Sequence, residues 1–429
     1  MLMCLFGVTL SVAEVSDEEG LRRRRERMPK SNTAQKIATV PYYIIRTPFF
    51  LLGRGVWYSY AFVRDTHVVP KTVDLLTSDD GLVSLFPTAS LGGRSGLTGE
   101  LTYSHRRFLK RGNRLNLHTS YSVNGYQDHY ARYRAFNLIG PVFLDVRGGF
   151  NVNTSEDFYG IGPDLSDVEG DGDLNDQTNF RHERLGGNLK IGAQWNRYLS
   201  SSVLVDFIDH TIETGEGTST STLNKFTEAD IPGLEGAALL GLGGRLAFDT
   251  RDNDFYPNKG FLAAISAMVF NQTDDDKYGF VRYNLELGHY LTLFRTGRIF
   301  AVRLLGEINT RTSDDKTTPF FSRASLGGSD NLRGYNTGRF RDKDLILLNL
   351  EYRYPIWEAE STRVAAMDAV LFLDAGRVFD DLADHTFKDY KLSYGVGIRA
   401  RTPDSFVLRV EFAHSDEENQ IAFAFAPFF

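Results

Sequence analysis

The stretch Val142-Phe143-Leu144-Asp145-Val146-Arg147-Gly148-Gly149-Phe150-Asn151-Val152-Asn153 alternates. Its even positions, Val142, Leu144, Val146, Gly148, Phe150 and Val152, are apolar or small, while the odd ones include Asp145, Arg147, Asn151 and Asn153. Successive side chains of an extended chain point to opposite faces, so this segment turns one face to an apolar medium and the other to water. Arg184 to Trp195 repeats the pattern, with Leu185, Leu189, Ile191 and Trp195 against Arg184, Asn188, Lys190 and Gln194. So does Val281 to Leu291, where Tyr283, Leu285 and Leu287 oppose Arg282, Asn284 and Glu286. A soluble sandwich also alternates, but its polar faces look outward and its strands are usually shorter.

The period of two runs from Leu82 to Phe429 and gives about sixteen strands, an even number of the kind bacterial outer-membrane barrels use. Links after odd strands include long polar ones, Thr154 to Asn179, Glu213 to Ala237, Thr310 to Lys343 and Phe379 to Asp389. Links after even strands are short, around Ile139 to Val142, Asn196 to Ser201, Phe294 to Arg298 and Arg401 to Asp404. Long loops on one rim and short turns on the other put the long loops outside the cell and both chain ends in the periplasm. The fold class is therefore all-β, a transmembrane antiparallel β-barrel of about sixteen strands over 82–429. Ile421, Phe423, Phe425 and the terminal Phe429 share one face, as in the C-terminal recognition signal of such barrels.

Composition agrees. The 429 residues hold 40 Gly, 20 Tyr and 32 Phe, mean hydropathy is −0.27, and no window offers about 18 uninterrupted apolar residues for a membrane helix. Alternation hides a barrel from such a search, because each strand averages to moderate polarity. A net charge of −7 argues against nucleic acid as partner, since phosphate binding needs a concentrated basic surface. The single cysteine, Cys4, leaves no disulfide scaffold and no thiolate metal site.

Residues 1–13 are apolar and end in Ser11-Val12-Ala13, which reads as an export signal. Residues 14–81 differ from the rest. The run Arg22 to Arg25 reads as a solvated basic tail, and Phe49 to Val63, following Pro48, reads as a short amphipathic helix lying on the membrane or plugging the barrel. Arg54 near its centre opposes a spanning role, at a cost of about 3 kcal/mol.

The link Thr310 to Lys343 carries Gly327-Gly328-Ser329-Asp330-Asn331-Leu332-Arg333-Gly334-Tyr335. Its core, Leu332 to Tyr335, resembles the V-R-G-F/Y signature of the BamA/TamA superfamily of barrels that insert or translocate other proteins. Asn349 to Pro355 and Phe372 to Phe379 are similar to the two barrel motifs that come after it there. Asp249-Thr250-Arg251-Asp252 with Phe255-Tyr256-Pro257-Asn258-Lys259-Gly260 resembles that family's turn between the eighth and ninth strands. The resemblance implies a loop folded into the lumen, client outer-membrane proteins as partners, and a weak lateral seam between the first and last strands. Family members that assemble barrels usually carry periplasmic POTRA domains. The segment between Ala13 and Leu82 has no such succession of strands and helices, which resembles the family's reduced branch.

The residues lead to the same loop by another route. If Ile346, Leu348, Leu350, Tyr352 and Tyr354 face lipid, then Asn349, Glu351 and Arg353 face the lumen. If Met367, Ala369, Leu371 and Leu373 face lipid, then Asp368 and Asp374 face inward. Two inward carboxylates on neighbouring strands suit the planar fork of a guanidinium, and Arg333 is the candidate, latching its loop to Glu351, Asp374 or both. Gly334 permits a tight turn beside it. At the seam, Pro87 in the first strand and Pro427 in the last each lack a ladder N–H, beside the terminal Phe429.

Other chemistry is sparse. The acidic stretch Asp167 to Asn175 spaces carboxylates like the start of a calcium loop, but Thr178 stands where the closing Glu belongs, so it reads as a solvated surface loop, with weak divalent binding near lipopolysaccharide phosphates as the intermediate reading and no specific metal site or cofactor expected. Neither a G-x-S-x-G elbow nor an H-E-x-x-H pair occurs, and His129, His210 and His289 show no partner arrangement, so no catalytic residue is assigned. The function expected is an outer-membrane insertase or translocase among lipid and lipopolysaccharide; the alternative is a passive channel or structural barrel.

Overall fold

The computed structural model describes residues 78–92, 95–162, 177–216, 220–254, 256–293, 297–358, 366–381, 388–401 and 407–424. The chain divides into units 1–57 and 58–429, and every described residue belongs to the second. The export signal, the basic tail, the helix expected over Phe49 to Val63, the acidic stretch Asp167 to Asn175, and Pro427 and Phe429 lie outside the described residues.

Sixteen strands form one antiparallel sheet in chain order. They are β1 (Val83–Gly92), β2 (Gly96–His105), β3 (Arg114–Ser122), β4 (Gln127–Ala135), β5 (Val142–Phe158), β6 (Thr178–Gln194), β7 (Leu199–Thr214), β8 (Ala237–Asp249), β9 (Gly260–Gln272), β10 (Gly279–Leu293), β11 (Arg298–Arg311), β14 (Asp344–Glu358), β15 (Ala366–Phe379), β16 (Lys391–Arg401), β17 (Val407–His414) and β18 (Asn419–Ala424). Between β11 and β14 the long link folds its own hairpin from β12 (Ala324–Leu326) and β13 (Phe340–Asp342). A four-residue helix, α1 (Thr222–Lys225), sits in the link after β7.

The registers explain the alternation. Leu185 pairs with Phe150, Leu246 with Ile265 and Leu348 with Leu304, so apolar residues collect on one face. Leu185, Val203, Leu242 and Ile265 are each more than half exposed on it, which is the surface a bilayer covers. The opposite face turns inward and carries the charges. Contacts between distant strands cross this interior: the Tyr256 hydroxyl, in the turn after β8, donates to Asp368 on β15 at 2.9 Å.

Two irregularities redirect side chains. In β5 the register shifts between Asn153 and Glu156, and the extra residue reverses the parity of the rest of the strand. Glu156 and Phe158, at even positions that would otherwise face lipid, therefore turn inward. A second shift lies between Pro355 and Trp357 in β14.

The interior is filled near the long-loop rim. Phe158, Phe180, Ile212, Ile231, Leu234 and Phe320 form one buried cluster, and Leu326, Leu332, Tyr335, Phe340, Leu347 and Val378 belong to another. Both draw on the link 312–343, which thus gains roughly 1.5–3 kcal/mol for each large apolar side chain it buries.

Candidate functional site

The link between β11 and β14 is shaped to enter the barrel. Gly327 and Gly328 have φ of +111° and +102°, the left-handed region that side chains resist. Asn331 Oδ1 accepts the Gly327 N–H at 2.8 Å, and the Gly328 N–H donates to the Tyr335 carbonyl at 2.8 Å. This closed turn projects Leu332 to Tyr335 against β14, β15 and β16.

Arg333 is buried there. Its Nε and Nη2 donate to the two oxygens of Asp374 at 2.8 and 2.7 Å, the bidentate geometry of a fork on a carboxylate. Nη1 donates to Glu351 Oε1 at 2.8 Å and lies 3.5 Å from Glu411 Oε1. The guanidinium also sits 3.6 Å from the ring centre of Phe372, which shields it from water and adds a cation–π attraction. Burial works against the Arg333 charge, but Asp374, then Glu351 and Glu411, hold its proton more tightly than usual. Asp374 is fixed in turn by Asn349 Nδ2 at 2.8 Å, and that same amide grips the Asn331 carbonyl of the loop at 2.8 Å.

Glu351 receives three arginines. Arg353 donates to its Oε2 at 2.9 Å, and Arg399 reaches both oxygens at 2.9 and 2.5 Å. Arg399 continues to Glu411 at 2.7 Å, and Arg409 joins Glu411 at 3.4 Å and Asp330 at 2.5 Å. The cations Arg333, Arg353, Arg399 and Arg409 thus face the anions Glu351, Asp374, Glu411 and Asp330, four against four. Balance matters here, because removing one partner of a buried pair strands the other charge.

The loop is also tied to the end of the sheet. The Tyr335 hydroxyl donates to Asp416 in the β17–β18 turn at 2.5 Å, with the Leu392 carbonyl 3.2 Å away; burial, then Asp416, raises its pKa. Ser415 Oγ donates to the Gly334 carbonyl at 2.7 Å, and Gln420 on β18 donates to Asn336 at 2.9 Å. Gly334 is required by space, since a Cβ there would stand 2.6 Å from Ser393 Cβ and 2.9 Å from Ser415 Cβ.

A second anchor holds the loop to the opposite wall. Arg341 reaches Glu156 on β5 at 3.3 Å, Glu156 accepts from His182 Nδ1 at 2.9 Å, and His182 Nε2 lies 2.9 Å from His210 Nδ1. The ring of Phe321 stacks on His210 at 4.2 Å. The sequence reading of His210 as lacking a partner is corrected: His182 and His210 sit at inward positions of adjacent strands, which their spacing in the chain conceals. His129 likewise meets Thr119 Oγ1 at 2.7 Å.

The turn between β8 and β9 reaches the same network from the other rim. Arg251 clasps Asp249 through Nε and Nη2, and Asp252 accepts the Asn258 N–H at 2.9 Å. Gly260, with φ +113°, returns the chain into β9. Tyr256 is buried, its ring 4.7 Å from the Arg353 guanidinium, and Arg353 donates to the Pro257 carbonyl at 3.3 Å. Arg353 therefore joins this turn to Glu351 and, through it, to Arg333. Arg401 completes the contact by donating to Asp368 at 2.8 Å. Phe255 lies outside the described residues.

Of the residues expected at the seam, Pro87 is exposed in β1 and pairs with Leu101 on β2. Pro427 and Phe429 lie outside the described residues, and among the described residues no register joins β1 to β18. Reasoning from sequence missed Arg399, Arg409 and Glu411. Strand parity was the available signal: Ser393, Gly395, Gly397 and Arg399 share one face of β16, as do Arg409, Glu411 and Ala413 of β17.

A sixteen-stranded antiparallel barrel with an apolar exterior, and a loop held inside it by a buried guanidinium, defines an outer-membrane protein with an occupied lumen. The chain belongs to the Omp85 superfamily, whose domain matches residues 107–426. Among solved structures it is similar to BamA from Haemophilus ducreyi lacking POTRA domains 1–3, with a TM-score of 0.58 and 15% identity over 81% of this chain and 70% of that one. It is also similar to CdiB from Escherichia coli, with a TM-score of 0.51 and 10% identity over 85% of this chain and 68% of that one. At these identities the likeness concerns the fold. No curated protein matches the sequence.

Proposed function

We propose that this protein assists other proteins in entering or crossing the outer membrane, at a seam between β1 and β18, without enzymatic chemistry. The observation that carries this reading is the placement of the loop's receptor. Asp374, Glu351, Arg399 and Glu411 stand on β15, β14, β16 and β17, and the same loop touches the β17–β18 turn and β18. The latch therefore braces the last five strands from within, so the terminal strand can part from β1 while the wall behind it keeps its shape. A wide passive channel calls for an open constriction, whereas here the loop fills part of the interior. Pro87, without an N–H, removes one donor from β1.

In this reading the clients are unfolded outer-membrane proteins and the long links face lipopolysaccharide. The test is reconstitution of the purified chain into liposomes with a urea-denatured barrel protein. Faster folding of the client than in empty liposomes is expected. Equal rates, together with steady, large, ion-selective conductance in planar bilayers, would mean a passive channel instead.

A further inference from the structure

The short-turn rim over β2 to β7 is chemically unlike the rest of the surface. The β2–β3 turn, 106–113, carries Arg106, Arg107, Lys110 and Arg111, all exposed, and no carboxylate. Phe108 folds over the outer face: its ring lies 6.1 Å from Tyr133 and 5.8 Å from His105, and Asn113 Nδ2 donates to the Tyr133 hydroxyl at 2.7 Å. Tyr133 belongs to the lipid-facing side of β4, since Ala131 on that side pairs with the exposed Leu117. The four cations are thus carried beside the hydrocarbon surface, at headgroup level.

Apolar residues accompany them. Leu109 is 79% exposed at the turn's tip, in a left-handed conformation (φ +66°) that leucine seldom adopts. The β4–β5 turn, 136–141, exposes Phe136, Leu138 and Ile139, the last by 82%, and the β6–β7 turn exposes Trp195 beside Arg197. These three turns hold five cations and no carboxylate. Asp79 and Asp80, just before β1, bring two carboxylates to the same rim; Asp80 is held below its usual pKa first by hydrogen bonds from Ser78 and the Leu82 N–H and last by the charge of Arg107. The opposite rim is acidic: its β9–β10 link has Asp274, Asp275 and Asp276, and its β17–β18 turn has Asp416, Glu417 and Glu418.

We infer that the rim formed by the turns 106–113, 136–141 and 195–198 binds anionic phospholipid of the inner leaflet, phosphatidylglycerol above zwitterionic lipid. The cations meet the phosphates, while Leu109, Ile139 and Trp195 enter the acyl boundary, the pairing by which amphipathic surfaces hold anionic membranes. Because the first of these turns, 106–113, adjoins the start of β1, the lipid would anchor the stationary side of the proposed seam. The inference rests on the reading that the short-turn rim faces the periplasm, and does not depend on insertase activity.

The full chain in detergent, offered phosphatidylglycerol or phosphatidylcholine of the same acyl chains, should retain the former preferentially in native mass spectrometry. The variant R106Q/R107Q/K110Q/R111Q should lose that preference by up to roughly a thousandfold, as four phosphate-facing charges imply, whereas K225Q in the link after β7 should keep it. Equal retention of both lipids by the parent, or an unaltered preference in the quadruple variant, would overturn the inference. Should that variant misfold, Leu109→Cys in a Cys4→Ser background can carry a fluorophore instead. Stronger quenching by brominated phosphatidylglycerol than by brominated phosphatidylcholine supports the site, and equal quenching refutes it. Labelling of the same cysteine by an impermeant maleimide on intact cells would put the turn in the lipopolysaccharide leaflet and refute the phospholipid assignment, leaving the insertase test untouched.

Discussion

Replacing Arg333 by alanine probes the latch where it has least redundancy. Among the described residues, Asp374 makes its ion pair with Arg333 and keeps only Asn349 and Ser393 as other side-chain donors, at 2.8 and 3.4 Å. Glu351, by contrast, retains Arg353 and Arg399. Arg333→Ala thus leaves one buried carboxylate without a counter-charge and turns a network of four cations and four anions into three against four. Breaking a buried pair from one side costs about 3–5 kcal/mol, far more than breaking an exposed pair such as Lys277–Glu235. Urea unfolding of the refolded barrel in detergent, read with the heat-dependent band shift on gels, measures the difference, and Lys277→Ala is the internal control. Asp374→Ala should cost a similar amount, and the double variant should be little worse than either single one, because both break the same contact. Arg333→Lys should also fail substantially, since a point charge cannot bridge two oxygens of Asp374 and one of Glu351. Strictly additive losses, or full rescue by lysine, would refute the latch as drawn.

Glu351→Gln should destabilise at least as much as Asp374→Asn in the same assay, because it removes one anion from the reach of three guanidinium groups. Gly334→Ala should displace the loop by crowding Ser393 and Ser415, which a cysteine placed at Ser329 and labelled with a small maleimide would report as a change in reaction rate. Tyr256→Phe should cost about 1–2 kcal/mol of barrel stability by leaving Asp368 with Arg401 alone of its two donors, and a smaller loss would detach this turn from the network. A tag inserted at Gly170 should be labelled on intact cells; labelling only after permeabilisation would invert the topology.

The barrel was legible because its physical cause is local. Alternation such as Val142 to Val152 needs only neighbouring residues, and the sheet contains the expected sixteen strands. The position of Arg333 was legible for a related reason: parity within β14 and β15 turns Glu351 and Asp374 inward, so a loop guanidinium had a destination. Contacts that depend on three-dimensional closure were not legible. Arg399 and Glu411 look like ordinary lumen charges until the curl of the sheet aims them at Glu351. Glu156 falls in the link expected from Thr154 to Asn179, whereas β5 runs on to Phe158 and the bulge after Asn153 turns Glu156 inward, and nothing local joins His182 to His210 across 28 residues.

The central claim, that the barrel works by parting β1 from β18, is tested most directly by tying those strands together. Cysteine pairs between Ser84 or Thr88 in β1 and Gln420 or Ala422 in β18, made in a Cys4→Ser background, are screened for the pair that oxidises to a disulfide. The oxidised barrel, reconstituted into liposomes with a denatured outer-membrane client, should lose its acceleration of client folding and regain it on reduction. A locked barrel that accelerates folding as well as its reduced form would contradict the account.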